Sequence, residues 1–179
     1  MDAQLQTLSK KLVESLKSRS IALAAAESCT GGAIASAVVS ISGASAVFKG
    51  SAVCYCDAAK NSLLGVKNET LEKFFAESPQ CAAEMALGAQ RIFKSGIAVA
   101  STGFLDANTP PEKSALAGRV FIALAPPNAE PIVEEIALDL GTVPVVTLQE
   151  VGYFVRHRHF LVLLLRDWVF ICCFFVIHD

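Results

Sequence analysis

Apolar residues recur at Leu5, Leu8, Leu12, Val13 and Leu16, while Lys10, Lys11, Glu14, Lys17 and Arg19 fall mostly elsewhere on the wheel. That spacing predicts an amphipathic helix over 3–19, lying on a sheet. Residues 21–26 form a short apolar run closed by a polar, glycine-containing turn, and 33–41 return to helical spacing after Gly31-Gly32. The predicted unit is strand, tight loop, helix. A second strand is expected over 50–55, followed by Asp57 as a helix N-cap and a short helix ending at Gly65. Ser78-Pro79 reads as an N-cap with proline at the first helical position. It opens a helix to Phe93 whose stripe is Ala82, Met85, Ala86, Ala89 and Phe93, with Gly96 closing it. Residues 97–101 give a third strand. Two more, over 119–125 and 132–138, flank Pro126-Pro127-Asn128 and predict a hairpin. The class is α/β with a mixed sheet.

The pattern changes after Gly141. Val143-Pro144-Val145-Val146 and a run over 151–155 lead to Arg156-His157-Arg158-His159, and then to an apolar stretch over 160–177 broken by Arg166-Asp167. A membrane span needs about 20 predominantly apolar residues. With two charges near its middle, this stretch reads instead as an element packed on the same domain or on a partner subunit of a homo-oligomer. Its aromatic and β-branched habit also fits a divergent terminal element or the product of a shifted reading frame. The expected division is 1–140 as the α/β domain and 141–179 as a separate apolar segment.

At 179 residues the chain is long enough to bury one core without staples. A net charge of -2 gives no basic footprint for nucleic acid. The six cysteines lack paired C-x-x-C spacing and sit among apolar residues, so they read as reduced thiols of a cytoplasmic protein. A metal site from Cys54, Cys56, His157 and His159 lacks the tight ligand pairing zinc usually shows, and no metal is expected. Met1-Asp2-Ala3-Gln4-Leu5 does not open like a signal peptide.

Ser28, Lys60 and Thr102 each follow an expected strand, and in open α/β sheets ligands gather at the carboxyl ends of the strands. Serine needs a base to act as a nucleophile, and a lysine whose amine is held neutral is one known solution. The positive end of its own helix would lie beside Lys60. Tyr55 and Thr102 could relay a proton or orient the amine. The N–H groups of Gly31 and Gly32 could hold an oxyanion or an anionic group. Each residue also has a plain reading: Ser-Cys-Thr-Gly-Gly as a cap and turn, Lys60 as a solvated helix residue, Tyr55 as a half-buried aromatic. The residues themselves reach only a small-molecule site.

Ala24-Ala25-Ala26-Glu27-Ser28-Cys29-Thr30-Gly31-Gly32, Tyr55-Cys56-Asp57-Ala58-Ala59-Lys60, Ser101-Thr102-Gly103 and Thr109-Pro110-Pro111-Glu112-Lys113, in this order, resemble the CinA C-terminal domain family. The resemblance runs to about Leu138. It implies a three-layer α/β/α sandwich with a mixed, largely parallel sheet. It also implies deamidation of nicotinamide mononucleotide by a serine–lysine amidohydrolase that uses no metal or other cofactor. Carried onto this chain, Ser28 is the nucleophile and Lys60 its base, with Tyr55 and Thr102 in support; Thr30, Gly31, Gly32, Gly103 and Arg156 are the expected substrate contacts. The chain departs from the family in two places. Phe104-Leu105-Asp106-Ala107-Asn108 replaces a glycine-rich segment, and Leu140-Gly141-Thr142-Val143-Pro144 stands where a Gly-Asp-Arg type turn is usual. Arg156 or Arg158 would have to supply the missing arginine. The alternative is a noncatalytic member that binds a nucleotide-like ligand or serves as an interaction module.

Overall fold

The computed structural model describes residues 3–138 apart from 106 and 108. Arg156, the two histidines of the paper metal site and the whole 141–179 segment lie outside the described residues. So do Asp106 and Asn108 of the altered loop.

A helix α1 (Ala3–Ser18) precedes strand β1 (Leu23–Glu27), helix α2 (Ala33–Val39) and strand β2 (Phe48–Val53). Three helices follow: α3 (Asp57–Leu64), α4 (Asn68–Phe74) and α5 (Pro79–Phe93). Strands β3 (Ile97–Gly103), β4 (Arg119–Ala125) and β5 (Ile132–Ala137) complete the order. The five strands lie as β2-β1-β3-β4-β5. β1 pairs in parallel with β2 and β3, whereas β3–β4 and β4–β5 are antiparallel. The sheet is therefore mixed and only partly parallel, which corrects the largely parallel expectation. The link from β3 to β4 holds a 3-10 turn (Pro111–Leu116) and no crossover helix among its described residues, so the chain returns antiparallel.

β1 is buried along its whole length, as expected of a strand covered on both faces and written as a continuous apolar run. Alternate residues point to opposite sides. Leu23, Ala25, Ile97 and Val99 join Leu12, Val13 and Leu16 of α1 and Ile34 and Val38 of α2 on one face. Ala24, Ala26, Ala98 and Ala100 face Ala82, Met85, Ala86 and Ala89 of α5 on the other. Alanine against alanine lets α5 approach the sheet closely, and Met85 fills the space that remains.

Local chemistry fixes the helix ends, with two corrections. Ser78 Oγ accepts from Cys81 N–H at 3.2 Å, and Pro79 opens α5. Lys94 in the left-handed region (φ 49), not Gly96, closes that helix. Cys56, not Asp57, is the N-cap of α3; Asp57 is its first helical residue, where a carboxylate complements the helix dipole. α4 has no counterpart in the sequence reading, because it buries only Thr70 and Leu71 and so shows no stripe. No helix among the described residues is long and apolar enough to cross a membrane, and among them no cluster of three metal-ligating side chains occurs.

Candidate active site

The parallel register aligns the carboxyl ends of three strands, with Glu27 opposite Val53 on one side and Ser101 on the other. Beyond β1 the ladder continues: Ser28 N–H donates to Ser101 O at 2.9 Å, and Cys54 N–H donates to Glu27 O at 2.8 Å. The serine is thus held by backbone on the sheet edge before any side chain acts. Lys60 reaches it from α3. Its amine is 3.1 Å from Ser28 Oγ, and this is its one hydrogen bond among the described residues. The two side chains are 32 positions apart in sequence, and both residues are buried, Lys60 to 2% exposure. No carboxylate among the described residues comes within ion-pair distance of the amine. A buried amine whose partner is a hydroxyl is arranged for proton exchange with it rather than for a structural ion pair.

The turn after Ser28 is organised by Glu27, which is fully buried. One carboxylate oxygen accepts from Thr30 Oγ1 (2.8 Å) and the N–H groups of Gly32 and Ile34 (3.0 Å each). The other accepts from Ala35 N–H (3.0 Å) and Ser51 Oγ (2.9 Å). Thr30 Oγ1 also lies 2.7 Å from Ser101 Oγ. Thr30 spends its proton on the carboxylate, so Ser101 is the donor of that second bond. The chain Ser101 to Thr30 to Glu27 ties β3 to the serine turn.

These contacts reassign several expected substrate groups. Gly31 N–H donates to Ser28 O at 3.1 Å and Gly32 N–H to Glu27, so neither is open to an oxyanion or a phosphate. The Thr30 hydroxyl is committed to the internal network. Thr102 is fully buried, and its hydroxyl donates to Ala76 O at 2.8 Å, away from the serine–lysine pair. Gly103 (φ 149) is required by packing: a Cβ there would run into the backbone of Arg119 and Val120 on β4. Tyr55 is 79% exposed and forms no hydrogen bond to Ser28 or Lys60. The structure therefore joins Ser28 with Lys60 and leaves Tyr55 and Thr102 outside that bond.

The CinA C-terminal domain family matches residues 5–142. The chain belongs to this family. A CinA-like protein of Fervidobacterium nodosum is 50% identical over 103 residues, covering 58% of this chain and 25% of that protein. One from Thermotoga neapolitana is 38% identical over 140 residues, covering 77% and 34%. The chain thus spans about a quarter to a third of the curated relatives it matches. Among solved structures, a competence/damage-inducible protein of Agrobacterium tumefaciens superposes with a TM-score of 0.80 at 30% identity, covering 93% of this chain and 96% of that one. A competence damage-inducible protein of Klebsiella pneumoniae gives 0.81 at 25% identity, covering 92% and 97%.

Within this CinA domain, two buried thiols that feel the Lys60 charge, Cys29 and Cys81, are pushed toward their protonated form. Burial pushes Cys29 up to about 12 against weaker pulls from Ser101, its own N–H and Lys60, and burial likewise pushes Cys81 up to about 12. They act as small apolar walls rather than competing nucleophiles. In the segment between β3 and β4, Lys113 pairs with Glu77 at 2.9 Å and sits 5.0 and 5.8 Å from the ring centroids of Phe75 and Phe104. Sequence reasoning missed Glu27, Ser51 and Ser101 as parts of the site. A carboxylate closing an otherwise apolar strand, just before a helix start, was the available signal for Glu27. Ser51 and Ser101 carry no such signal, because the register alone brings them in.

Proposed function

We propose that this CinA domain is an amidohydrolase that converts nicotinamide mononucleotide to nicotinate mononucleotide and ammonia through Ser28 and Lys60. The observation that carries the reading is the buried 3.1 Å contact between Lys60 Nζ and Ser28 Oγ, with no carboxylate competing for the amine among the described residues. In this mechanism Ser28 Oγ attacks the carboxamide carbon while its proton passes to Lys60 Nζ. The carbonyl π pair moves onto oxygen. When it returns, the C–N bond breaks and the leaving nitrogen takes the proton from Lys60, departing as ammonia. Water then adds to the acyl-serine, giving up one proton to Lys60 as it attacks; Lys60 returns that proton to Ser28 as the acyl bond breaks, and the released acid loses its remaining proton to solvent to become the carboxylate.

Ammonia release from nicotinamide mononucleotide, followed by a coupled assay, tests this. Ser28→Ala and Lys60→Ala variants that keep the wild-type melting temperature should each lose at least about 1000-fold in turnover, the range seen when a nucleophile or its base is removed. Wild-type protein without turnover would sink the proposal. A second reading, ligand binding without chemistry, rests on the segment after Gly103, where Phe104-Leu105-Asp106-Ala107-Asn108 replaces the family's glycine-rich stretch. Under that reading the mononucleotide raises the melting temperature but no ammonia appears.

A further inference from the structure

Backbone N–H groups that are buried are nearly always bonded, so each one around Ser28 can be traced to an acceptor. Ser28 N–H goes to Ser101 O, Gly31 to Ser28 O, Ala33 to Thr30 O and Ser36 to Gly32 O. Gly32, Ile34 and Ala35 all go to the Glu27 carboxylate. The start of α2 is thereby used up by the protein itself. Two consecutive groups remain. Neither the Thr30 N–H nor the Cys29 N–H finds an acceptor among the described residues. Both residues are buried, at 2% and 8% exposure, and they directly follow the serine.

Resting on the serine–lysine reading above, we propose that the N–H groups of Cys29 and Thr30 form the oxyanion hole of this site, with Glu27 as the positioning residue that occupies the N–H groups of Gly32, Ile34 and Ala35. The pair of electrons displaced from the carbonyl when the Ser28 Oγ–carbon bond forms comes to rest on an oxygen facing these two donors. A donor left unbonded in the resting protein is free to strengthen its interaction only as that charge develops, which is where such a group contributes most. Gly31 and Gly32 shape the turn but give nothing to the oxygen.

The native cysteines at 29 and 54 allow the full chain to be assembled from three peptides joined at those residues. The Thr30 N–H can then be replaced by an ester oxygen with every side chain intact. The probe is phenylmethanesulfonyl fluoride: Ser28 Oγ bonds to sulfur, fluoride leaves, and the serine proton goes to Lys60, so charge develops on a sulfonyl oxygen. Labelling of Ser28, read by intact mass, should be on the order of 10- to 100-fold slower in the ester chain than in the all-amide chain. The melting temperatures should agree, because the deleted N–H has no acceptor to lose. Equal labelling rates would overturn the oxyanion hole while leaving the serine–lysine pair standing. A lowered melting temperature or a misfolded ester chain would also overturn it, by showing that the N–H has a structural partner. An all-amide chain unlabelled at Ser28 would instead remove the serine–lysine reading, and the hole with it.

Discussion

Glu27 is the residue on which the site's geometry depends most, although it does no chemistry in the proposed reaction. A fully buried carboxylate is tolerated only when its lone pairs are met, and here five donors meet them, three on one oxygen and two on the other. Glu27→Gln keeps the shape but turns an amide NH2 toward groups that are themselves donors. It should lower stability by about 2–4 kcal/mol, the range for leaving buried hydrogen-bonding groups unmet. Urea denaturation of the two proteins measures this directly; a loss below about 1 kcal/mol would mean the carboxylate is not the organising group. At this scale the sequence singled out Ser28 and Lys60, which the fold brings together, but not their neighbours. Ser28 was legible because a serine before two glycines stands out after an apolar run, and Lys60 because of the motif around it. Tyr55 was equally visible, yet exposure sets it apart from the pair. Nothing in side-chain type records which way a residue at a strand end will face.

Among the elements, α5 shows how packing can reverse a local preference. Gly88 lies in the middle of this helix, where alanine is favoured over glycine by about 0.8–1 kcal/mol. A Cβ at Gly88 would collide with the carbonyl oxygen of Leu64 and come within 2.8 Å of its Cβ, at the end of α3. Since Arg91 also donates to that carbonyl at 2.8 Å, the end of α3 is held from two sides and cannot yield freely. Gly88→Ala should therefore lower the melting temperature, with an overpacking cost of about 1–3 kcal/mol exceeding the propensity gain. A rise in melting temperature would show that α3 moves aside. α5 itself was plain in the sequence from its cap, its proline and its stripe. Its end at Phe93 was read correctly, but its closing residue was not: Gly96 is the conventional stop signal, whereas Lys94 adopts the left-handed conformation two residues earlier. α4 was missed because seven residues with two buried positions carry too little periodicity to register.

Across the whole molecule, the site exists only where β1, β3 and α3 meet, so no single segment contains it. Ser28 takes its backbone bond from Ser101 on β3 and its side-chain partner from Lys60 on α3. Loss of Ser28 labelling and loss of helical circular dichroism should consequently share one urea midpoint, as in a two-state transition. Labelling lost at clearly lower urea would show that α3 detaches before the sheet opens. The order of elements apart from α4 and the apolar run that forms β1 followed from the sequence, because periodicity and caps are local and act through neighbours a few positions away. The antiparallel return of β4, the 3.1 Å meeting of Lys60 with Ser28 and the capture of the Gly32 N–H by Glu27 were decided by tertiary structure. Hydrogen-bond partners are chosen by register and distance in the folded state, and composition carries no record of that choice.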